Sequence, residues 1–198
     1  RQLYGSWSGA GNAPDLKPEE SKTIEMFLQY TKKNMSFAVN PYYVIIEKSI
    51  NDVNGIPTNL GDRNVTGLDI HTQAFIDLNS LSRLSFWGVY SFINTNEEKF
   101  DSNGNKIKDD KIGDIADHKI HFGLTFDYSS RYYFTLRNRW ISEKDTYENN
   151  PIDKVDAYFT SDFNFLWKRF LAAHLDLSVK ITNLYDTEYY HSGIRDAN

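Results

Sequence analysis

The chain lacks several features that would each point to a familiar class of protein. Its 198 residues include no cysteine, which excludes a disulfide framework and any cysteine-based metal site. No run of about eighteen apolar residues occurs, so no membrane-spanning helix is predicted. Acidic residues outnumber basic ones and give a formal net charge of −5, which argues against a nucleic-acid-binding surface. Residues 1–5 have no basic segment followed by an apolar one, so we expect part of a mature protein without a signal peptide.

What the chain does have is a strong two-residue alternation of apolar and polar side chains. It is clearest over residues 119–128, where Ile120, Phe122 and Leu124 alternate with His121 and Thr125. Because successive side chains of a strand point to opposite faces, each such segment predicts a strand with one apolar face. The pattern predicts about eight strands, over residues 23–30, 36–46, 67–76, 84–93, 119–128, 132–140, 157–167 and 175–181.

The predicted connections alternate between short and long. The short ones are residues 31–34, 77–82, 129–131 and 168–170, and the long ones are 1–20, 51–63, 95–117, 144–155 and 184–198. Outer-membrane barrels have this arrangement, with tight turns on the periplasmic side and long loops outside. Three strands also carry an aromatic residue on the apolar face at the short-turn side, which predicts an inner aromatic girdle of Tyr30, Tyr128 and Trp167.

A soluble β-protein with a buried apolar face is the alternative interpretation of the alternation. The alternating connection lengths and the girdle favour the membrane, and the mean hydropathy of −0.58 is compatible with a barrel because only every second residue faces lipid. Charged residues such as Lys119, Asp127, Arg137 and Asp162 all fall on the polar faces, as a wet lumen or a polar plug requires. We therefore expect an all-β, antiparallel, up-and-down barrel whose apolar faces are exposed to lipid.

Two sequence blocks resemble one family. Residues 183–190, Asn-Leu-Tyr-Asp-Thr-Glu-Tyr-Tyr, resemble the end of the penultimate strand and the last surface loop of TonB-dependent outer-membrane receptors. Residues 12–23, Asn-Ala-Pro-Asp-Leu-Lys-Pro-Glu-Glu-Ser-Lys-Thr, resemble a loop that precedes an earlier strand of the same barrels. The two blocks lie near opposite ends, so the resemblance covers nearly the whole chain.

The resemblance implies a 22-stranded barrel plugged by an N-terminal domain. Residues 1–198 would then be the later strands of that barrel, without the plug and the final strand, and the strand over 175–181 should pair with 157–167 on one side only. It also implies a location in the outer membrane of a Gram-negative-type bacterium. The implied partners are membrane lipid, the plug domain and the TonB energy-coupling complex, and the implied activity is import of a scarce bulky ligand such as an iron-siderophore, haem or cobalamin.

Chemistry-bearing motifs are sparse along the chain. No nucleophile elbow, phosphate loop or zinc motif occurs, so we predict no catalytic residue, no enzymatic activity, no cofactor and no metal site. The histidines His71, His121 and His174 share the polar side but lack a metal-ligand spacing. Residues 101–110 are partly spaced like a calcium loop, yet the glycine is out of position and no Glu closes it, so a solvated Asn/Gly loop is the other interpretation.

Ligand capture is predicted for aromatic and cationic side chains near the outer ends of the strands, since aromatics and Arg concentrate binding energy. The candidates are Tyr4, Trp7, Arg139, Tyr147, Tyr158, Tyr189, Tyr190, His191 and Arg195. A surface barrel that does not transport, serving as an adhesin or a passive pore, is the alternative function.

Overall fold

The computed structural model describes residues 13, 15–53, 56–101, 103–147, 150–171 and 174–191. Every regular element in these ranges is a β-strand, and none of them forms a helix that could cross a membrane. The strands of the main sheet are β1 (Glu20–Glu25), β2 (Leu28–Lys32), β3 (Met35–Glu47), β6 (Arg63–Asn79), β7 (Ser82–Phe100), β8 (Lys106–Asp110), β9 (His118–Tyr128), β10 (Tyr132–Ile141), β13 (Tyr158–Trp167) and β14 (Leu177–Ile181). Two separate two-stranded sheets are formed by β4 (Ile50–Val53) with β5 (Ile56–Asn59) and by β11 (Lys144–Asp145) with β12 (Lys154–Val155).

The main sheet follows the chain order. Its path is β1-β3-β6-β7-β9-β10-β13-β14, with β2 added to β3 and β8 added to β7. The strand over Leu177–Ile181 pairs with β13, which confirms the pairing predicted for it, and within the described residues β14 has no partner on its other side. Up-and-down order with antiparallel neighbours is the topology predicted from the sequence.

The cross-strand register confirms the predicted faces. Leu124 lies opposite Leu136 and Phe86, and Phe134 lies opposite Phe126 and Phe165, so apolar residues form continuous rows across four strands. These side chains do not pack in a core: Leu124 and Phe134 are each 41% exposed. Among the described residues only Ala13, Ala38, Ala116 and Val155 are buried apolar residues, which is too little for a soluble core of this size.

One compact unit comprises residues 1–25, 41–67 and 93–112. Within it the predicted boundaries were wrong at two long loops. Residues 51–63 contain the β4-β5 hairpin, and β7 continues to Phe100 and pairs with β8 where a loop over 95–117 was expected. The strand persists because Glu97, only 7% exposed, is held by Arg63 at 3.3 Å and by Lys99 at 2.5 Å. Glu97 and Lys99 look in the sequence like part of a solvated loop, but in the structure ion pairs within the sheet neutralise their charges.

The other unit comprises residues 26–40, 68–92 and 113–198, and it contains the tight turns. The link predicted over 77–82 shortens to Ser80 and Leu81, because β6 and β7 extend to either side. In the turn between β9 and β10, Arg131 N–H donates to Tyr128 O at 3.1 Å, and Ser129 and Ser130 both have positive φ angles. Such left-handed turns match the twist of antiparallel strands.

Aromatic rings form a row beside these turns. Tyr128 contacts Tyr132 at 6.2 Å between ring centroids, Tyr132 contacts Trp167 at 5.4 Å, and Trp167 contacts Phe170 at 4.7 Å. Two of the three residues predicted for the inner girdle, Tyr128 and Trp167, belong to this row. Its position at the tight-turn ends is where an aromatic belt meets the membrane interface.

Candidate functional site

Two arginines on the polar face of β10 lie between polar or small residues of the neighbouring strands β9 and β13. Arg139 lies opposite His121 on β9 and Thr160 on β13, and Arg137 lies opposite Gly123 and Asp162. Because residues two apart share a face, all of these belong to one patch of the wall. This patch lies toward the long-loop ends of the strands.

Arg139 is surrounded by aromatic rings from two other segments. Its guanidinium carbon lies 5.5 Å from the Tyr158 ring centroid and 5.6 Å from that of Tyr189. The two tyrosine rings stack at 4.6 Å with an interplanar angle of 14°. His191 meets Tyr189 edge-on at 5.5 Å. Cation-π contacts of this kind hold the guanidinium in place without consuming its hydrogen-bond donors.

Trp87 forms the floor of the patch on the β7 side. Its indole lies across Gly123, where a Cβ atom would come within 2.6 Å of Trp87 Cε2. Only a glycine leaves room for the ring at this position. Trp87, Arg137, Arg139 and Tyr189 line a cavity of about 420 Å³ that opens on the polar face.

The charge of the cavity is mainly positive. The described residues provide no ion-pair partner within 4.0 Å for either Arg137 or Arg139. Asp162, an acidic residue that also lines the cavity, accepts a hydrogen bond from Asn183 N–H at 2.9 Å and lies 4.0 Å from Lys180 Nζ. Arg139 beside the stacked tyrosine rings and Arg137 in the same cavity have no hydrogen-bond acceptor among the described residues, so the pair can bind an anionic group that stacks on aromatic surfaces.

The structure brings four of the predicted site residues together, namely Arg139, Tyr158, Tyr189 and His191. Tyr147 and Tyr190 are 54% and 71% exposed, and neither makes a ring or cation-π contact with these four in the described part of the chain. Tyr4, Trp7 and Arg195 lie outside the described residues. Sequence reasoning missed Trp87 and Arg137; aligning β7 and β10 with β9 would have placed both beside Gly123.

Two further expectations concern metals. Within the described residues no group of three or more His, Asp or Glu side chains is arranged to hold a metal ion. In the Asn/Gly loop, Asp101 Oδ1 accepts the N–H groups of Asn103 and Asn105 at 2.8 Å each, and Oδ2 accepts from Asn105 Nδ2 at 3.1 Å. Those hydrogen bonds from Asn105 and Asn103 lower the pKa of the Asp101 carboxyl. The carboxylate serves to close the loop, which favours the solvated-loop interpretation over calcium.

An antiparallel sheet with an exposed apolar face and a polar, charged face is typical of a transmembrane β-barrel. Residues 1–184 match the family described as TonB dependent receptor-like, beta-barrel. The chain belongs to this family. No curated protein sequence matches it significantly.

Solved structures agree on the fold. The chain is 17% identical to the ferric-catecholate import receptor Fiu from E. coli K12, with a TM-score of 0.69 over 94% of this chain and 26% of that one. It is 12% identical to the FrpB iron transporter from Neisseria meningitidis, with a TM-score of 0.70 over 88% and 27%. It is 16% identical to the ferric yersiniabactin uptake receptor FyuA from Yersinia pestis, with a TM-score of 0.67 over 90% of this chain and 27% of that one. The chain thus spans about a quarter of the length of these proteins.

Proposed function

We propose that residues 1–198 form the later strands of a 22-stranded, plugged barrel that imports a scarce bulky ligand across the outer membrane of a Gram-negative-type bacterium. The plug domain, the final strand and the contact with the TonB complex belong to other parts of that receptor. Transport rather than catalysis is the role, with the outer-membrane lipid around the apolar face. Support comes from the family match over residues 1–184 and from the up-and-down antiparallel order of the main sheet.

The ligand we propose is anionic and carries flat rings, as an iron complex of catecholate groups does. The observation that carries this proposal is the cluster of Arg139 with the stacked Tyr158 and Tyr189 rings. The adjoining cavity adds a second guanidinium, Arg137, which has no ion-pair partner in the described part of the chain. Rings supply contact area at low conformational cost, and guanidinium groups supply donors for negatively charged oxygens. A neutral or cationic ligand would leave two arginines unused.

Arg131 offers a matched control for Arg139. Its guanidinium carbon also lies over two rings, 5.7 Å from the Tyr132 centroid and 5.9 Å from the Trp167 centroid, but at the tight-turn end. Both residues can be changed to alanine in the full-length receptor, expressed in cells that lack their own catecholate receptors. Binding and uptake of radioactive iron as a catecholate complex would be measured.

We expect Arg139→Ala to weaken binding about tenfold or more, since a hydrogen-bonded charged contact contributes about 1.5–3 kcal/mol. Arg131→Ala should leave binding unchanged. Lowered binding with both variants would mean a general loss of folding, and unchanged binding with both would remove the proposed site. Absence of any uptake by the wild-type receptor, with anionic, neutral and cationic iron complexes alike, would favour the adhesin or passive-pore alternative.

A further inference from the structure

We infer that Asn183 is a positioning residue that holds Tyr189 against Arg139 and Tyr158, and that the Asn-Leu-Tyr-Asp-Thr segment is the clasp through which it acts. The clasp is defined as residues 183–187. The inference deepens the proposed function, and it rests on that function for the role of Tyr189 in ligand binding. The geometry of the clasp itself involves no ligand.

Asn183 uses both ends of its side-chain amide on one residue. Oδ1 accepts the backbone N–H of Thr187 at 3.0 Å, and Nδ2 donates to the carbonyl oxygen of Thr187 at 3.1 Å. The backbone closes the same turn, since Asp186 N–H donates to Asn183 O at 2.9 Å. Only a short side chain with a donor and an acceptor on one planar group makes this pair of bonds.

The backbone at Asn183 is left-handed, with a φ angle of 52°. Apart from glycine, asparagine is among the residues that tolerate this region best. Asn183 therefore satisfies two demands at once, the left-handed turn that ends β14 and the bidentate bond to Thr187. Glycine meets only the first demand, and alanine meets neither.

The clasp is fixed to β13 as well as to itself. Asn183 N–H donates to Asp162 Oδ1 at 2.9 Å, and Leu184 N–H donates to Ser161 O at 2.7 Å. Ser161 is 1% exposed, and its Oγ donates to Asn138 Oδ1 at 2.8 Å. The start of the last loop is thus tied to two strands of the wall at the level of the site.

Two tyrosines, one within the clasp and one just after it, contact aromatic rings on opposite faces of β13. Tyr185, inside it, meets Phe159 at 6.2 Å, and Phe159 belongs to the apolar face. Tyr189, two residues beyond it, stacks on Tyr158, which belongs to the polar face. Because the Asn183 amide fixes Thr187, it fixes the direction in which the chain leaves toward Tyr189.

The test is a cross-link between tyrosine rings in the full-length receptor. Photo-oxidation with a ruthenium complex and persulfate removes one electron and one proton from each of two adjacent tyrosines, and the two rings join through a carbon–carbon bond while persulfate is reduced. Peptide mass spectrometry would quantify the Tyr158–Tyr189 product. The Tyr128–Tyr132 pair, with centroids 6.2 Å apart at the tight turn, is an internal reference in the same molecules.

We expect Asn183→Gly to reduce the Tyr158–Tyr189 product about fivefold or more relative to the reference, since the loss of two hydrogen bonds of about 1 kcal/mol each releases Thr187. Asn183→Asp, which keeps the acceptor and tolerates the left-handed turn, should retain more product than Asn183→Gly. An unchanged ratio in Asn183→Gly, or a ratio that falls equally in both variants, would overturn the positioning role. If Asn183→Gly also loses the Tyr128–Tyr132 reference product, that variant is misfolded. The ratio of the Tyr158–Tyr189 product to the reference in Asn183→Asp, compared with the wild type, then decides the question: a lower ratio supports the positioning role and an unchanged ratio overturns it.

Binding of the ferric catecholate complex separates this inference from the proposed function. In a double-mutant cycle, Asn183→Gly should weaken binding in the wild-type background and have no further effect in a Tyr189→Ala background, because the two act in series. Additive effects of Asn183→Gly and Tyr189→Ala would contradict action through Tyr189. If the cross-link ratio falls but neither variant changes binding, the clasp is real and the proposed ligand site is wrong.

Discussion

Trp87 lies across Gly123 on the neighbouring strand, and the absence of a side chain at Gly123 makes room for the indole. Gly123→Ala should push the ring off the wall, at a cost of about 1–3 kcal/mol in unfolding free energy, as for other overpacked sites. Urea unfolding and the change in fluorescence attributable to Trp87, found by difference with Trp87→Phe, would measure this. Gly88→Ala is the control: its Cβ would meet Phe86 and Thr72 atoms at 3.2 Å, a milder contact. Equal losses for the two glycines would contradict a specific role for the Trp87 contact.

The two faces of β9 should respond differently to a charge. Leu124→Arg, on the exposed apolar face, should destabilise the folded state in lipid by about 2–4 kcal/mol near mid-membrane. Thr125→Arg, on the polar face, should cost only about 1 kcal/mol, from loss of the 3.1 Å hydrogen bond between the Thr125 and Thr135 hydroxyls. Refolding titrations into vesicles would give both values. A polar-face variant as costly as Leu124→Arg would reverse the assignment of the faces.

The outer end of β7 limits what can be deleted. Removing residues 101–105, at the tip between β7 and β8, should leave the barrel folded, since loop tips tolerate such changes. Removing 96–115 would also remove Glu97, and Arg63 would lose its ion pair with that carboxylate. Glu97→Ala alone should cost about 1–3 kcal/mol, because it removes the acceptor that both of the partly buried cations Arg63 and Lys99 contact. Limited proteolysis of the outer loops would follow these variants, and equal protease resistance of Glu97→Ala and the wild type would refute the role of Glu97.

The Asn/Gly loop should depend on pH only in acid. The pKa of Asp101 is lowered by its hydrogen bonds with the Asn105 and Asn103 amides, so the ionised form favours the closed loop. That contribution is present above the ordinary Asp pKa of about 4 and is lost as the pH falls through the lowered value. Hydrogen exchange at the Asn103 and Asn105 amides should therefore be pH-independent, after correction for the intrinsic rate, between about pH 5 and 8 and faster than expected below about pH 4. Asp101→Asn should abolish the acid step, and added calcium should not slow exchange.

The sequence predicted the strands and their faces because the period of two is visible without knowledge of the fold. It could not predict the length of β7, since Glu97, Glu98 and Lys99 look like a solvated loop until Arg63 is brought beside them. The choice of Arg139, Tyr158 and Tyr189 rested on residue type near the outer ends of strands, and register brought these three together. Trp87 was not predicted as a site residue because both faces of residues 84–93 are largely apolar, so the period of two does not decide which face the indole lies on.

The left-handed pair Ser129–Ser130 has a consequence for the order of events when the chain folds. A turn of this hand closes a hairpin from residues adjacent in sequence, and hairpins form in about 1–10 μs. β9 and β10 can therefore align before any distant strand arrives, with the Thr125–Thr135 bond inside the aligned pair. The hairpin then offers two fresh edges, to which β7 and β13 add in turn. The sheet can thus grow outward from the β9–β10 hairpin. The entropic cost of closing a long loop then arises only when a strand edge is already available for pairing.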